Sequence, residues 1–177
     1  MANSVNRTNQ IKNLVFAALL AALACVATLV LTVPSPTGGY MNLGDTVVVL
    51  SAYLLGPWWG AAAAGIGSML ADLFAGYPAY APATLVIKAV MALLAAVLYK
   101  ALGKKNWAFL VCAVAAEAVM VVGYWLYDGL FIVNSLAGGA AGIPSNLVQA
   151  AFGLVVSTLL VTALRKSSYT RRQFPAL

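Results

Sequence analysis

The stretch Met41–Lys88, MNLGDTVVVLSAYLLGPWWGAAAAGIGSMLADLFAGYPAYAPATLVIK, decides the fold. Its apolar runs are long enough for membrane helices, and Gly56-Pro57 and Gly76-Tyr77-Pro78 break them. Asp45, Asp72 and Lys88 nevertheless lie inside it. A charge near the hydrocarbon core costs roughly 3 kcal/mol or more on insertion scales, so it is kept where it pairs, caps a helix or touches a polar ligand. The 177 residues hold only ten basic and four acidic side chains, so these few mark where function should be sought.

Working outward, composition fixes the class. Hydrophobic residues make up 63% of the chain and charged residues 8%, against about 25% charged in a soluble domain. The chain is predicted to be an all-α integral membrane protein. At about 20 residues per span the length allows five to seven helices and leaves no separate soluble domain. The net charge of +6 collects at helix ends, a topology signal and not a nucleic-acid footprint. Histidine is absent, which removes the commonest metal ligand and general base. No phosphate loop, nucleophile elbow or metal cluster is present. The expectation is no enzyme, no cofactor and no metal. Cys25 and Cys112 sit in apolar runs and read as small buried hydrophobes. Ala22-Leu23-Ala24 before Cys25 has the wrong order for a lipobox. The first apolar run follows Arg7 and Lys12 and spans about 20 residues, longer than a signal-peptide core, so it reads as a retained helix.

One transmembrane domain over 1–177 is expected, with helices over about 12–33, 45–55, 58–75, 82–102, 107–128 and 144–165. Pro34 and Pro36 end the first. Gly44 or Asp45 is an expected N-cap of the second, and Pro82 opens the fourth. Residues 166–177 form a short basic cytoplasmic tail, expected to be mobile. With six helices and cytoplasmic termini, nine of the ten basic residues fall inside: Arg7, Lys12, Lys100, Lys104, Lys105, Arg165, Lys166, Arg171 and Arg172. Asp45, Asp72 and Asp128 then lie near outer ends, with Lys88 just below one of them.

Polar residues share faces at helical spacing. Glu117, Tyr124 and Asp128 lie at i, i+7 and i+11. Glu117, near mid-membrane, either meets a ligand or cation or makes an interhelical bond as a protonated acid. Thr84 and Lys88 lie at i and i+4, with Lys88 either contacting a ligand or neutralising Asp72. Asn146, Gln149 and Gly153 form a third face, whose two amides can read a heteroaromatic ring or bond a neighbouring helix. Tyr77 and Tyr80 sit at the outer rim, as ligand-stacking rings or part of an aromatic belt. The belt also accounts for Trp58, Trp59, Trp107 and Trp125. Small residues, Ala17, Ala18, Ala21, Ala22 and Cys25 in the first helix and Gly60, Ala64, Ser68 and Ala71 in the third, permit close helix approach.

The order and spacing of Asn42-Leu43-Gly44-Asp45, Leu55-Gly56-Pro57, Gly65-x-Gly67-Ser68 with Ala71-Asp72, Gly76-Tyr77, Ala81-Pro82-x-Thr84 with Lys88, and Pro144-x-Asn146-x-x-Gln149 resemble the S component, the substrate-binding subunit, of energy-coupling factor (ECF) vitamin transporters. The similarity covers nearly the whole chain and is nearest the hydroxymethylpyrimidine and pyridoxine branch. The resemblance implies an ABC-type importer subunit in a prokaryotic cell membrane. It captures a vitamin outside, docks on a transmembrane coupling protein carrying two ATPase subunits, topples in the lipid and releases the vitamin inside. It implies ligand contacts at Thr84, Lys88, Glu117, Tyr124, Asn146 and Gln149, with Tyr77 and Tyr80 as rim or lid. It also implies docking through Ala17 and Ala21 or Ala18 and Ala22. Asp45 is then expected to cap a helix and Asp72 to pair with Lys88. The rival readings are a proton-coupled small-molecule transporter using Glu117 and a small membrane transferase.

Overall fold

The structure, a computed structural model, describes residues 2–177. Its elements are α1 (Ala2–Val30), β1 (Val33–Pro34), β2 (Tyr40–Met41), α2 (Asp45–Ala75), α3 (Ala81–Ala101), α4 (Ala108–Tyr127), a π-helical turn (Asp128–Ile132), α5 (Leu136–Gly139), a 3₁₀ turn (Ala140–Gly142), α6 (Ile143–Lys166) and α7 (Ser168–Gln173). Five segments are helical, long and apolar enough to cross a membrane by length and composition: Asn9–Val30, Asp45–Ala75, Ala81–Ala101, Ala108–Ile132 and Leu136–Lys166. Helices suit this sequence because lipid offers backbone groups no hydrogen bonds, and a helix satisfies them within itself.

The segment α2 is central, packing against α1, α3 and α6, while α4 bridges α3 and α6. It is not straight. Gly56 has φ 76 and ψ −170, a conformation essentially restricted to glycine, and Pro57 follows it. A Cβ at Gly60 would lie 2.7 Å from the carbonyl oxygen of Ser51. In a continuous helix those residues would be about 14 Å apart along the axis. The chain therefore doubles back at Gly56, and Asp45 and Asp72 return to the same end of the bundle. The sequence predicts a turn here between two short helices, and the reversal needs only this glycine. Close packing of small residues holds the rest: a Cβ at Gly67 would lie 2.8 Å from the Cα of Ala21, and one at Gly65 would lie 2.7 Å from the Leu85 carbonyl oxygen.

Two boundaries differ from expectation. The first helix ends at Val30, not near 33, because the chain enters a two-stranded antiparallel ribbon, Val33 opposite Met41 and Pro34 opposite Tyr40. Proline pushes the residue before it into extended backbone, which suits a strand and not a helix end. The tail, expected to be mobile, is folded onto the bundle. The Ser167 hydroxyl caps α7, Lys12 Nζ donates to the Gln173 carbonyl at 2.6 Å, and the rings of Phe16 and Phe174 meet edge-on at 4.8 Å. Its composition is basic, but Phe174 and Leu177 carry enough apolar surface to dock; Leu177 is buried. At this same end the Tyr99 and Phe109 rings stack, Tyr53 meets both edge-on, and Tyr53 Oη donates to the Phe109 carbonyl at 2.8 Å.

Gly56→Ala should lower stability by about 1–3 kcal/mol, the cost of a non-glycine side chain in that backbone region. Thermal or denaturant unfolding in detergent reads this directly, and an unchanged midpoint would mean that the reversal does not depend on glycine.

Candidate functional site

The connection between α1 and α2 folds down over the end of the bundle where Asp45 and Asp72 lie. Under it is a cavity walled by Ser35, Thr37, Gly39, Tyr40 and Asn42 from the connection, Asp72 of α2, Tyr80 and Thr84 at the start of α3, Tyr124 of α4, Asp128 and Asn146. All but Gly39 carry hydrogen-bonding side chains. The cavity is narrow, about 20 Å³, room for little more than one water.

Side-chain bonds latch the connection in place. Thr37 Oγ1 donates to Asp128 Oδ2 at 2.6 Å, and Tyr80 Oη donates to Asp128 Oδ1 at 2.9 Å. Tyr40 Oη donates to Asp72 Oδ1 at 2.6 Å. The Ser35 and Ser145 hydroxyls are 3.1 Å apart. A Cβ at Gly39 would lie 3.1 Å from the Tyr80 ring, so only a bare backbone closes over that tyrosine without displacing it. Burial pushes the Tyr40 and Tyr80 phenols above their ordinary range, and the Asp72 and Asp128 carboxylates push them further. Both phenols therefore stay protonated as donors. Asp128 opens the π-helical turn, a local widening of the helix that recurs at functional sites.

Beneath the cavity lies an ion pair. Lys88 Nζ donates to Asp45 Oδ1, and both side chains are almost fully buried. Gln149 Nε2 donates to Asp45 Oδ2 at 2.6 Å, while Gln149 Oε1 accepts from the Asn42 backbone N–H at 2.7 Å. Lys88 Nζ also sits 5.3 Å over the Tyr124 ring, and the Tyr124 and Thr84 hydroxyls are 2.8 Å apart. Glu117 lies next to this group: a Cβ at Gly153 would collide with Glu117 Oε1 and lie 3.0 Å from Asp45 Cβ. Neither oxygen of the buried Glu117 carboxyl has a partner among the described residues, nor does Asp72 Oδ2. Asp72 lines the cavity through the wall it shares with Tyr40 and Thr84.

The family model described as ECF-type riboflavin transporter, S component, matches residues 8–166. The chain belongs to this family. An uncharacterized protein in the gap 3′ region of Pyrococcus woesei is 35% identical over 143 residues, 80% of this chain and 93% of that relative. Two solved structures share the fold. One, described as the S component of a bacterial ECF transporter, superposes with a TM-score of 0.72 at 22% identity over 89% of this chain and 97% of its own. The other, an S component for biotin from an ECF-type ABC transporter, has a TM-score of 0.56 at 16% identity over 94% and 97%. The family is one of transporter subunits, not of enzymes.

In this S component Tyr80, Thr84, Tyr124 and Asn146 line the cavity. Tyr77 stands one ring away, 4.6 Å from Tyr40 and 6.5 Å from Tyr80. Lys88 and Gln149 form the floor network, and Glu117 lies deeper, between α4 and α6. Of the two expected N-caps of α2 it is Gly44 that holds the place, in helical conformation with no side-chain bond, and the cap role expected of Asp45 is corrected. The pairing of Lys88 is corrected as well. Lys88 pairs with Asp45 and not with Asp72, because the reversal of α2 brings both aspartates to α3 and Tyr40 occupies Asp72 at the cavity wall. Nothing in the sequence marks the wall residues Ser35, Thr37 and Tyr40 individually, although their loop is rich in turn and hydroxyl residues, while Asn42 opens the Asn42–Asp45 stretch that carries the resemblance. On α1, Ala17 is buried and Ala21 packs on Gly67 within the same chain, whereas Ala18 and Ala22 face outward.

Lys88→Met and Asp45→Asn should each cost about 3–5 kcal/mol, because each leaves the other member of a buried pair uncompensated. The double variant should lose less than the sum. A double-mutant cycle of unfolding free energies measures the coupling; strict additivity would show that the two groups do not act as a pair.

Proposed function

We propose that this S component captures a water-soluble vitamin with a hydroxylated heteroaromatic ring and passes it to an energy-coupling module of a transmembrane coupling protein and two ATPase subunits. The observation that carries this reading is the cavity wall: ten hydrogen-bonding side chains of both senses, three of them tyrosines. Such a wall suits a flat polar ring with hydroxyl substituents. Riboflavin is named by the matching family. The narrow cavity favours a single ring of the pyridoxine or hydroxymethylpyrimidine kind. Either must displace part of the connection over residues 31–44, whose latches are few and non-covalent. Capture then needs no bond-making: Thr84, Tyr124, Asn146 and Asp72 hold the ring, Tyr77 and Tyr80 form the rim, and Lys88, Gln149 and Glu117 set the charge beneath it.

The reading places six membrane segments in a prokaryotic cell membrane, counting the two arms of α2 separately, with both termini in the cytoplasm. Nine of ten basic residues lie at the end away from the cavity, as the positive-inside rule requires of the cytoplasmic side. The cavity therefore faces outward. The coupling protein docks on the outward face of α1 at Ala18 and Ala22, since Ala17 and Ala21 are engaged by the protein's own α2.

Calorimetry on the purified chain, with riboflavin, pyridoxine, hydroxymethylpyrimidine, thiamine, pantothenate and biotin, should find one tight ligand. Asn146→Ala and Tyr124→Phe should each weaken it by about 10- to 100-fold, the loss of one or two buried hydrogen bonds. A folded protein that binds none of the six would remove the vitamin reading. Topology has its own check. With Cys25 and Cys112 replaced by alanine, Tyr77→Cys should react with an impermeant maleimide on intact cells and Lys105→Cys only after permeabilisation. The reverse pattern would invert the orientation.

A further inference from the structure

The end opposite the cavity carries a second, cationic site. Arg165 and Lys166 at the end of α6, Arg171 of α7, Thr162 and Asn106 enclose an open cleft of about 320 Å³. Arg165 is pre-positioned: Nη1 donates to Asn106 Oδ1 at 2.9 Å, and its guanidinium lies 5.4 Å over the Phe109 ring. That leaves it with N–H donors to spare. No carboxylate side chain is available to neutralise this end, because the chain's four acidic residues are Asp45, Asp72, Glu117 and Asp128. The same helix pair, α4 and α6, also holds a lipid-facing apolar groove of about 450 Å³, lined by Val114, Ala118, Val122, Leu147, Ala151 and Leu154. Glu117 contributes to its floor but turns its carboxyl toward Gly153. Within α6, Ala150 beside the groove and Thr162 beside the cleft are twelve residues apart, about 18 Å along the axis. That is close to the depth of one leaflet, half of a core about 30 Å thick. Trp107, about half exposed, marks the interfacial level beside the cleft.

We infer that the α4–α6 face binds an anionic phospholipid, its phosphate held by Arg165, Lys166 and Arg171 and one acyl chain lying in the groove. Guanidinium groups match phosphate oxygens in pairs, and basic pockets between membrane helices are known to take lipid headgroups. A cleft for an acidic protein would have no use for an apolar groove one leaflet deep on the same two helices.

The test is native mass spectrometry of the full chain released from neutral detergent, with phosphatidylglycerol and phosphatidylcholine of identical acyl chains offered in equal amounts. Wild type should retain the anionic lipid by about tenfold or more over the zwitterionic one, and Lys166→Glu with Arg171→Glu should abolish that preference. Ala151→Trp, which fills the groove and leaves the charges alone, should also reduce retention, and it carries the test if the charge-reversed protein does not fold. Inorganic phosphate at roughly 100-fold excess, enough to occupy a bare anion site, should not displace the lipid. Equal retention of the two lipids, a preference that survives charge reversal, or displacement by phosphate would each overturn the proposal. Loss of assembly with a coupling module without any lipid preference would do so too, assigning the cleft to a protein partner. Vitamin binding by the variants reports folding independently, so the failure of one reading is not the failure of the other.

Discussion

A lysine and an aspartate buried together inside a membrane bundle must neutralise each other, and in this chain that need ties four segments at one point. Asp45 comes from the start of α2 and Lys88 from α3. Gln149 of α6 completes the carboxylate's hydrogen bonds, and its other end holds the Asn42 backbone of the connection above. Desolvating two such groups costs several kcal/mol each, recovered only when geometry and remaining hydrogen bonds are good. The pair therefore does less for stability than for register: it fixes how α2, α3 and α6 sit relative to one another, and so where the cavity wall stands. Glu117, unpartnered beside Asp45, is the one ionisable group in this layer whose place the pair does not explain.

The glycines serve the same end. Gly56 lets α2 double back, which brings Asp45 and Asp72 to one level. Gly67 lets α1 approach, and Gly153 leaves space for the Glu117 carboxyl. With lipid outside as apolar as the core inside, close backbone approach and polar contacts carry more of the association than hydrophobic burial does.

Much of this was legible in the sequence because hydropathy, Gly-Pro breaks and basic asymmetry are local signals. The spans, the turn at Gly56-Pro57 and the polar faces of α3, α4 and α6 could be read directly, and with them Thr84, Tyr124 and Asn146. What could not be read depends on tertiary placement. The sequence points Lys88 to Asp72 and makes Asp45 a cap, and only the course of α2 and the Tyr40 bond to Asp72 turn the lysine to Asp45 instead. The ribbon that shortens α1 needs the pairing of Pro34 with Tyr40 across the loop of residues 35–39, which no periodicity announces. The docking of the tail is hidden in the sequence because its charges are conspicuous, while Phe174 and Leu177 are few and gain their meaning only from the aromatic surface they meet. The connection's wall residues were unspecific for the same reason: serine, threonine and tyrosine in a turn-rich loop mean little until the loop is seen folded over a cavity.

The segregation of charge has an electrical consequence. Moving one elementary charge through a membrane potential of about 100 mV changes its energy by roughly 2.3 kcal/mol. Nine basic side chains lie at one end, and the four carboxylates lie away from it, one of them cancelled by Lys88. The molecule thus carries a strong permanent polarity along its length, and a membrane voltage favours the orientation that sets the basic end on the negative side. Any large rotation in the bilayer is least costly when it pivots about the basic end, so that the less heavily charged end, where the cavity lies, is the one that travels.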